Sequence, residues 1–444
     1  MNWLAVAIFS VTYVAIASRR LSWLPLDRPA AVLVGAVVCV ASGVLTPHQA
    51  LGAIDGETIL LLFAVMGMGA FLAADGLVEQ LEARLDARSP SPRFLLGAVV
   101  WSAGLMAPFI TNDAVALLGA PIVLRLTRRY GLAPLPYLLA LATAANTGSV
   151  ATLVGNPQNM LCAQLGGLAY REFLLVMGPL ALLCLALNHA WLAWLFRRQL
   201  DAPAAGGAGS AVHTGGDGRT GGGGSAVHDG SLLAGGAALP GATRQASSSG
   251  RSALTLTVVA GVAVAYLFNL NLAWTAAAGF ALLMLVHRRD TRELWSRIDF
   301  PLLLFFGGLF IVVEALRVSG APDAFFARYP LASLWTDDGL LLSAVFVVGS
   351  NVVSNVPFIL VIADAMGSLP DPVRAWSLLA AASTFAGNLT LLGSVATIIV
   401  AEAARDEGGI GFIEHLRAGA PLALVTTAVA ALWVQAAAWA GAFG

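Results

Sequence analysis

Apolar runs of about 16 to 25 residues follow one another along almost the entire chain, and this constrains the fold more than any other feature. A helix needs about 20 apolar residues to cross the hydrocarbon of a bilayer, whereas a barrel strand needs only about ten that alternate in polarity. The runs here are continuous, so they predict an all-α polytopic membrane protein. Composition agrees: of 444 residues 58% are hydrophobic and only 11% charged, against about a quarter charged in soluble domains. A net charge of −1 offers nothing to nucleic acid. Cys39, Cys162 and Cys184 fall in apolar segments without metal-like spacing and read as packing residues.

Reading the apolar runs against their breakers places spans at 2–18, 30–47, 57–75, 135–165, 173–196, 253–269, 272–287, 300–318, 375–403 and 418–442. Two further segments, 94–127 and 339–366, are long enough to enter and return, and polar residues interrupt each near its middle. They read as re-entrant hairpins. Most arginines then fall on one side if the N-terminus lies outside, which predicts both termini outside and a multi-pass protein of a prokaryotic cytoplasmic membrane. Residues 201–252, rich in Gly, Ala and Ser, cannot bury a core and read as a flexible cytoplasmic linker.

The linker separates halves 1–200 and 253–444, each with three spans, a hairpin, an interrupted span (135–165 or 375–403) and a final span. Because each half has five spans, the second enters the membrane from the opposite side, the pattern of an inverted repeat. Particular residues match in order. "FITNDAV" pairs with "VVSNVPF", aligning Thr111-Asn112 with Ser354-Asn355; "ATLVGNPQN" pairs with "LTLLGSVAT", aligning Thr152 with Thr390, Gly155 with Gly393 and Asn156 with Ser394.

A broken helix leaves backbone groups that lipid cannot satisfy, so breaks persist where they face protein or a water-filled cavity. Two symmetry-related breaks per half therefore predict one polar site near the midplane, with hydroxyls, amides and free helix ends as its chemistry. Helix C-terminal carbonyls with Asn and Ser oxygens suit a sodium ion, and helix N-terminal amides suit an anion. The candidate residues are Thr111, Asn112, Asp113, Thr152, Gly155, Asn156, Pro157, Asn159, Ser354, Asn355, Asn388, Thr390, Gly393 and Ser394, with sodium at Asn112 and Asn355 as coupling ion and no other cofactor. No arginine or lysine is expected in the centre. Asp113 faces Val356 in the alignment and has two readings, an N-cap of the returning helix or an ion- or proton-binding carboxylate. Glu314, Asp364 and Glu402 lie near span ends, where snorkelling or packing is expected. Gly104, Gly119, Gly148 and Gly178 read as packing positions, and His189 as a hydrogen-bonded core histidine.

At "ITNDAVALLGAPIVL", "GNPQNMLCA", "SNVVSNVPFIL" and "AGNLTLLGSVATIIVAEAA" the chain resembles the ion transporter superfamily, and more narrowly its citrate-transporter-like permeases. Their relatives include arsenite permeases, sodium/proton antiporters and divalent-anion/sodium symporters. The resemblance implies an elevator-type transporter, usually a homodimer, whose hairpins and interrupted spans slide against a scaffold. In the symporters a Ser-Asn-Thr motif at each tip holds sodium and carboxylate. Here the tips read Thr111-Asn112-Asp113 and Ser354-Asn355-Val356, so the third hydroxyl is absent from both.

The expectation is a secondary active transporter for a small anion or oxyanion, coupled to sodium or protons. The alternatives are a sodium/proton antiporter and an arsenite exporter. An intramembrane enzyme would need a nucleophile beside a base, paired aspartates or a His-rich metal motif, and none is present.

Overall fold

The computed structural model describes residues 2–17, 26–76, 80, 91–201, 249–288, 290–405 and 409–442, and the chain is helical, with no strand among these described residues. The first half contains α1 (Trp3–Ala17), α2 (Arg28–Ala41), α3 (Gly56–Ala74), α4 (Pro92–Ile110), α5 (Asn112–Arg129), α6 (Leu135–Ser149), α7 (Pro157–Gly166) and α8 (Tyr170–Leu195). The second contains α9 (Ser249–Tyr266), α10 (Leu272–His287), α11 (Phe300–Val318), α12 (Leu340–Val353), α13 (Asn355–Met366), α14 (Pro372–Ala386), α15 (Val395–Ala403) and α16 (Phe412–Trp439). Short helices at Pro47–Gly52, Arg197–Leu200, Thr291–Trp295 and Ala321–Arg328 lie between them. Residues 202–248 of the expected linker lie outside the described residues. Its last positions, 249–252, form the first turn of α9 instead, where Ser252 is buried and donates to the Asp75 carbonyl at 2.8 Å.

Local signals set most helix starts. Asp27, Asp55, Ser91, Asp299 and Asp371 each accept a first-turn backbone N–H, and Pro29, Pro92, Pro301 and Pro372 occupy first-turn positions where no donor is lost. Among the described residues α3, α4, α8, α11 and α16 are long and apolar enough to cross a membrane. Large apolar side chains remain on the outside, Leu285 73% and Leu175 65% exposed among them. A soluble surface would not tolerate so many, whereas lipid covers them without cost. The protein is a multi-pass membrane protein.

The helices pack in two groups. In one, α2 lies on α11 and α3 on α10, with α1 against both α2 and α11. In the other, α4 lies on α6 and α12 on α14, while α5 reaches across to α15 and α13 to α7. Each of those last contacts joins one half of the chain to the other. Breaks at Thr111 and Ser354 separate α4 from α5 and α12 from α13, the helices of each pair packing together, and further gaps follow α6 and α14. Cys39, Cys162 and Cys184 are buried free thiols within the packing. Gly104, Gly119 and Gly148 sit at close helix contacts, but a Cβ on Gly178 would meet only Leu174 of its own helix at 3.5 Å, so the close-packing role expected there is not observed.

Candidate functional site

Thr111 ends α4 and begins α5 with φ 73° and ψ 148°. That region is almost exclusive to glycine, and holding a β-branched residue there costs about 1–3 kcal/mol. Pro108, in the last turn of α4, supplies no N–H and weakens the helix just before the break. The Ala114 N–H donates to Thr111 Oγ1 at 3.4 Å. Thr111 therefore caps α5, and the capping reading of Asp113 is corrected. The Asn112 N–H donates to the Gly155 carbonyl at 2.9 Å, tying the first tip to the break after α6. A Cβ on Gly155 would stand 2.2 Å from the Ser149 carbonyl oxygen, which explains the glycine.

The second tip repeats this geometry. Ser354 has φ 67° and ψ 151°. Asn355 Nδ2 donates to the Gly393 carbonyl at 3.1 Å, and Asn351 Nδ2 to the Ala386 carbonyl at 3.1 Å. Thr390 Oγ1 completes the bracing by donating to Asn351 Oδ1 at 3.2 Å. Tyr13 of α1 donates its hydroxyl to the carbonyl of Val352, in the last turn of α12. Backbone groups released by the breaks thus find protein partners, as the membrane interior requires.

Asparagines join the two halves. Asn112 Nδ2 donates to Asn146 Oδ1 at 2.9 Å, and Asn146 Nδ2 donates to Asn388 Oδ1 at 3.0 Å. Ser394 Oγ donates to the same Asn146 Oδ1 at 2.9 Å. Behind them Asn156 caps α7, accepting the Asn159 N–H at 2.8 Å, and its Nδ2 reaches Ser149 Oγ at 2.7 Å and Thr384 Oγ1 at 3.2 Å. His415 donates from Nε2 to the Asn388 carbonyl at 3.1 Å. All of these side chains are buried, so each bond is made where an unmet polar group would be expensive.

A cavity of about 360 Å³ opens beside this network. Asn112, Asp113, Pro157, Ser354, Asn355, Gly393 and Ser394 line it, together with Tyr13, Arg28, Gln158, Asp299, Ser350 and Asn351. Four buried oxygens on its lining residues have no hydrogen-bond partner: Asn112 Oδ1, Asn355 Oδ1, Gln158 Oε1 and Ser350 Oγ. A second cavity of about 340 Å³ adjoins it; Asp113, Pro157, Asp299 and Leu302 line both, and Thr111 and Arg297 line the second. Asp113 faces Ser394 and Val395, at the start of α15, across the first cavity.

The structure therefore separates the expected residues into two sets. Thr111, Asn112, Asp113, Pro157, Ser354, Asn355, Gly393 and Ser394 face cavities. Thr152, Gly155, Asn156, Asn159, Asn388 and Thr390 brace the breaks from behind; Thr152 Oγ1, for instance, donates to the Pro108 carbonyl at 2.8 Å, and Asn159 Nδ2 to the Thr152 carbonyl at 2.9 Å. Arg28, from the start of α2, also enters the cavity wall, contrary to the expectation of a centre without cations. Glu314 and Asp364 both lie beside Arg317, at 3.4 and 3.7 Å, and Glu402 pairs with Arg405 at 3.0 Å. His189 accepts from Trp101 Nε1 at 3.3 Å.

Asn146, Asn351, Gln158, Ser350 and Asp299 escaped the sequence reading. Asn351 lies four positions before Asn355, but the break at Ser354 puts the two on different helices, so helical spacing does not mark it. Asn146 lies within α6, ten positions before Asn156, with no helix breaker beside it to mark it.

Comparison with known proteins gives a consistent result. The citrate transporter family, CitMHS, matches residues 13–386. The silicon efflux transporter LSI3 of Oryza sativa subsp. japonica is 32% identical over 460 residues, covering 95% of each chain. The putative transporter arsB of Dictyostelium discoideum is 25% identical, covering 93% of this chain and 89% of its own. The crystal structure of the YdaH transporter of Alcanivorax borkumensis shares the fold, with a TM-score of 0.52 at 16% identity over 99% of this chain and 97% of that one.

Proposed function

This chain belongs to the CitMHS citrate transporter family and is a transporter, not an enzyme, and we propose that it carries a small oxyanion, or the neutral oxyacid from which that anion derives, coupled to sodium or protons. The observation that carries this reading is the set of unpartnered oxygens at the two tips. Asn112 Oδ1 and Asn355 Oδ1 are buried and unbonded beside one cavity, and Ser350 Oγ lies one turn before the second tip. A buried acceptor without a partner costs about 1–3 kcal/mol, a cost that a bound cation removes. Sodium takes such hard oxygen ligands, and the helix-end carbonyls that the breaks provide are ligands of the same kind.

In this reading the halves 1–200 and 253–444 are inverted repeats, with both termini outside and the intervening segment cytoplasmic. The matching conformations of Thr111 and Ser354 support the repeat, as do the paired contacts of α5 with α15 and of α13 with α7. The group built from α4–α7 and α12–α15 is the moving part of an elevator, and α1–α3 with α9–α11 form the scaffold of a homodimer. The names of the relatives support an oxyacid substrate over a citrate-like one, because a silicon efflux transporter covers nearly the whole chain.

A sodium/proton antiporter is the second reading, favoured by Asp113 and Asp299 lining the same two cavities. Purified protein reconstituted in liposomes separates the two. Counterflow of arsenite or silicic acid that requires a sodium or proton gradient supports the first; a gradient-driven sodium–proton exchange without either solute supports the second.

A further inference from the structure

The two tips are not chemically equivalent. At the first, α5 packs on α15, and the polar side chain comes from the tip: Asp113, which lines the cavity with Ser394 and Val395 at the start of α15. At the second, α13 packs on α7, and Pro157 and Gln158 line the cavity with Asn355 and Val356. There the position matching Asp113 is Val356, and the position matching Ala396, two residues past the aligned Asn156 and Ser394, is Gln158. One junction draws a carboxylate from its tip; the other draws a neutral amide from its half-helix.

Gln158 is only 8% exposed, it lines the cavity with Asn112, Asn355 and Ser350, and its Oε1 is buried without a partner. An isolated acceptor is satisfied by a ligand that donates. The carboxylates of Asp113 and Asp299 line the same space against one arginine, Arg28. A carboxylate or other fully ionised anion would bring more acceptors to acceptors. A small uncharged acid bearing several hydroxyl groups brings donors, and adds no charge to a buried site.

We propose that the half-helix and the tips divide the work, with Gln158 at the α7–α13 junction binding the hydroxyl groups of an undissociated oxyacid while the asparagine tips and Asp113 serve the coupling ion. Resting on the transporter reading above, this assigns its substrate class and a substrate-binding residue. The selection is for the neutral hydroxylated form over the ionised one.

The test uses full-length purified protein and arsenous acid as probe, undissociated at neutral pH, with citrate and sulfate as anionic controls. Binding is followed by thermal shift and by counterflow in liposomes. Loss of one buried hydrogen bond predicts that Gln158→Leu weakens arsenous acid binding about tenfold, leaves the sodium-induced shift in melting temperature intact, and does not improve binding of the anions. Gln158→Glu, which retains acceptor oxygens, keeps more of the acid affinity than Gln158→Leu. The sodium-induced shift reports that each variant is folded. Unchanged arsenous acid affinity in Gln158→Leu overturns the assignment, as does a loss of both responses together in the two variants, or tighter binding of citrate or sulfate than of arsenous acid by the wild type. Absence of any response of the wild-type protein to sodium, protons, acid or anions instead removes the transporter reading, and this assignment with it.

Discussion

Thr111 and Ser354, 243 positions apart in the chain, hold the same unfavourable backbone conformation, φ 73° and ψ 148° in one and φ 67° and ψ 151° in the other. Both stand where one helix stops and an asparagine starts the next. Strain of about 1–3 kcal/mol at each point persists only where the surrounding structure enforces it. Glycine at either position removes that strain, but Thr111→Gly also loses the cap to the Ala114 N–H, whereas Ser354 makes no such bond. Ser354→Gly is therefore expected to raise the melting temperature in detergent more than Thr111→Gly does. Equal effects, or destabilisation by Ser354→Gly, would show that the Ser354 side chain stabilises the tip by another route.

Asn146 is the hub of the polar core, bonded to Asn112, Asn388, Ser394 and Thr397. Asn146→Leu removes the partner of four buried polar groups at once, and an unmet group costs about 1–3 kcal/mol. It should be the most destabilising of the single asparagine substitutions, larger than Asn112→Ala. Thermal unfolding of the two variants side by side checks the order.

The glycines differ sharply in what an added methyl would meet. A Cβ on Gly148 would lie 1.9 Å from the Gly104 carbonyl oxygen, and one on Gly419 2.0 Å from the Asn388 carbonyl oxygen, whereas Gly178 has room. Gly148→Ala and Gly419→Ala should force backbone apart and destabilise strongly, at the upper end of the usual cost of overpacking, about 3 kcal/mol. Gly178→Ala is expected to be neutral or slightly stabilising through helix propensity. Melting temperatures that rank Gly178 with the other two would contradict this.

Tyr13 links α1 to the second tip through the Val352 carbonyl. Tyr13→Phe keeps the ring and deletes only that bond, so a loss of about 1 kcal/mol is expected. The more telling signal is local: faster amide hydrogen exchange over 350–356, with exchange in α6 and α14 unchanged.

Much of this arrangement can be read before any coordinates are known, and the physical reason is that breaks are written in local chemistry. The pair Asn156-Pro157 is an N-cap followed by a residue that needs no donor, and Thr111-Asn112 and Ser354-Asn355 interrupt apolar runs too long for a single crossing. What is not legible is which side of a break faces the cavity. Thr152 and Asn159 turn backward to meet carbonyls, while Gln158, between Pro157 and Asn159, lines the cavity. Spacing along the chain does not reveal that choice. Nor does it bring Arg28 and Asp299, each at the start of a helix, to the wall of the cavity; tertiary packing of α2 on α11 does.

The central claim, that the two asparagine tips build a cation site, is tested most directly by the melting temperature of the purified protein against sodium at constant ionic strength, with potassium as control, in the wild type and in Asn112→Ala and Asn355→Ala. A ligand that binds the native state stabilises it once its concentration passes its dissociation constant. The account predicts sodium-specific stabilisation of the wild type that is lost in both variants. A folded wild-type protein indifferent to sodium, or stabilisation that survives both substitutions, would contradict it.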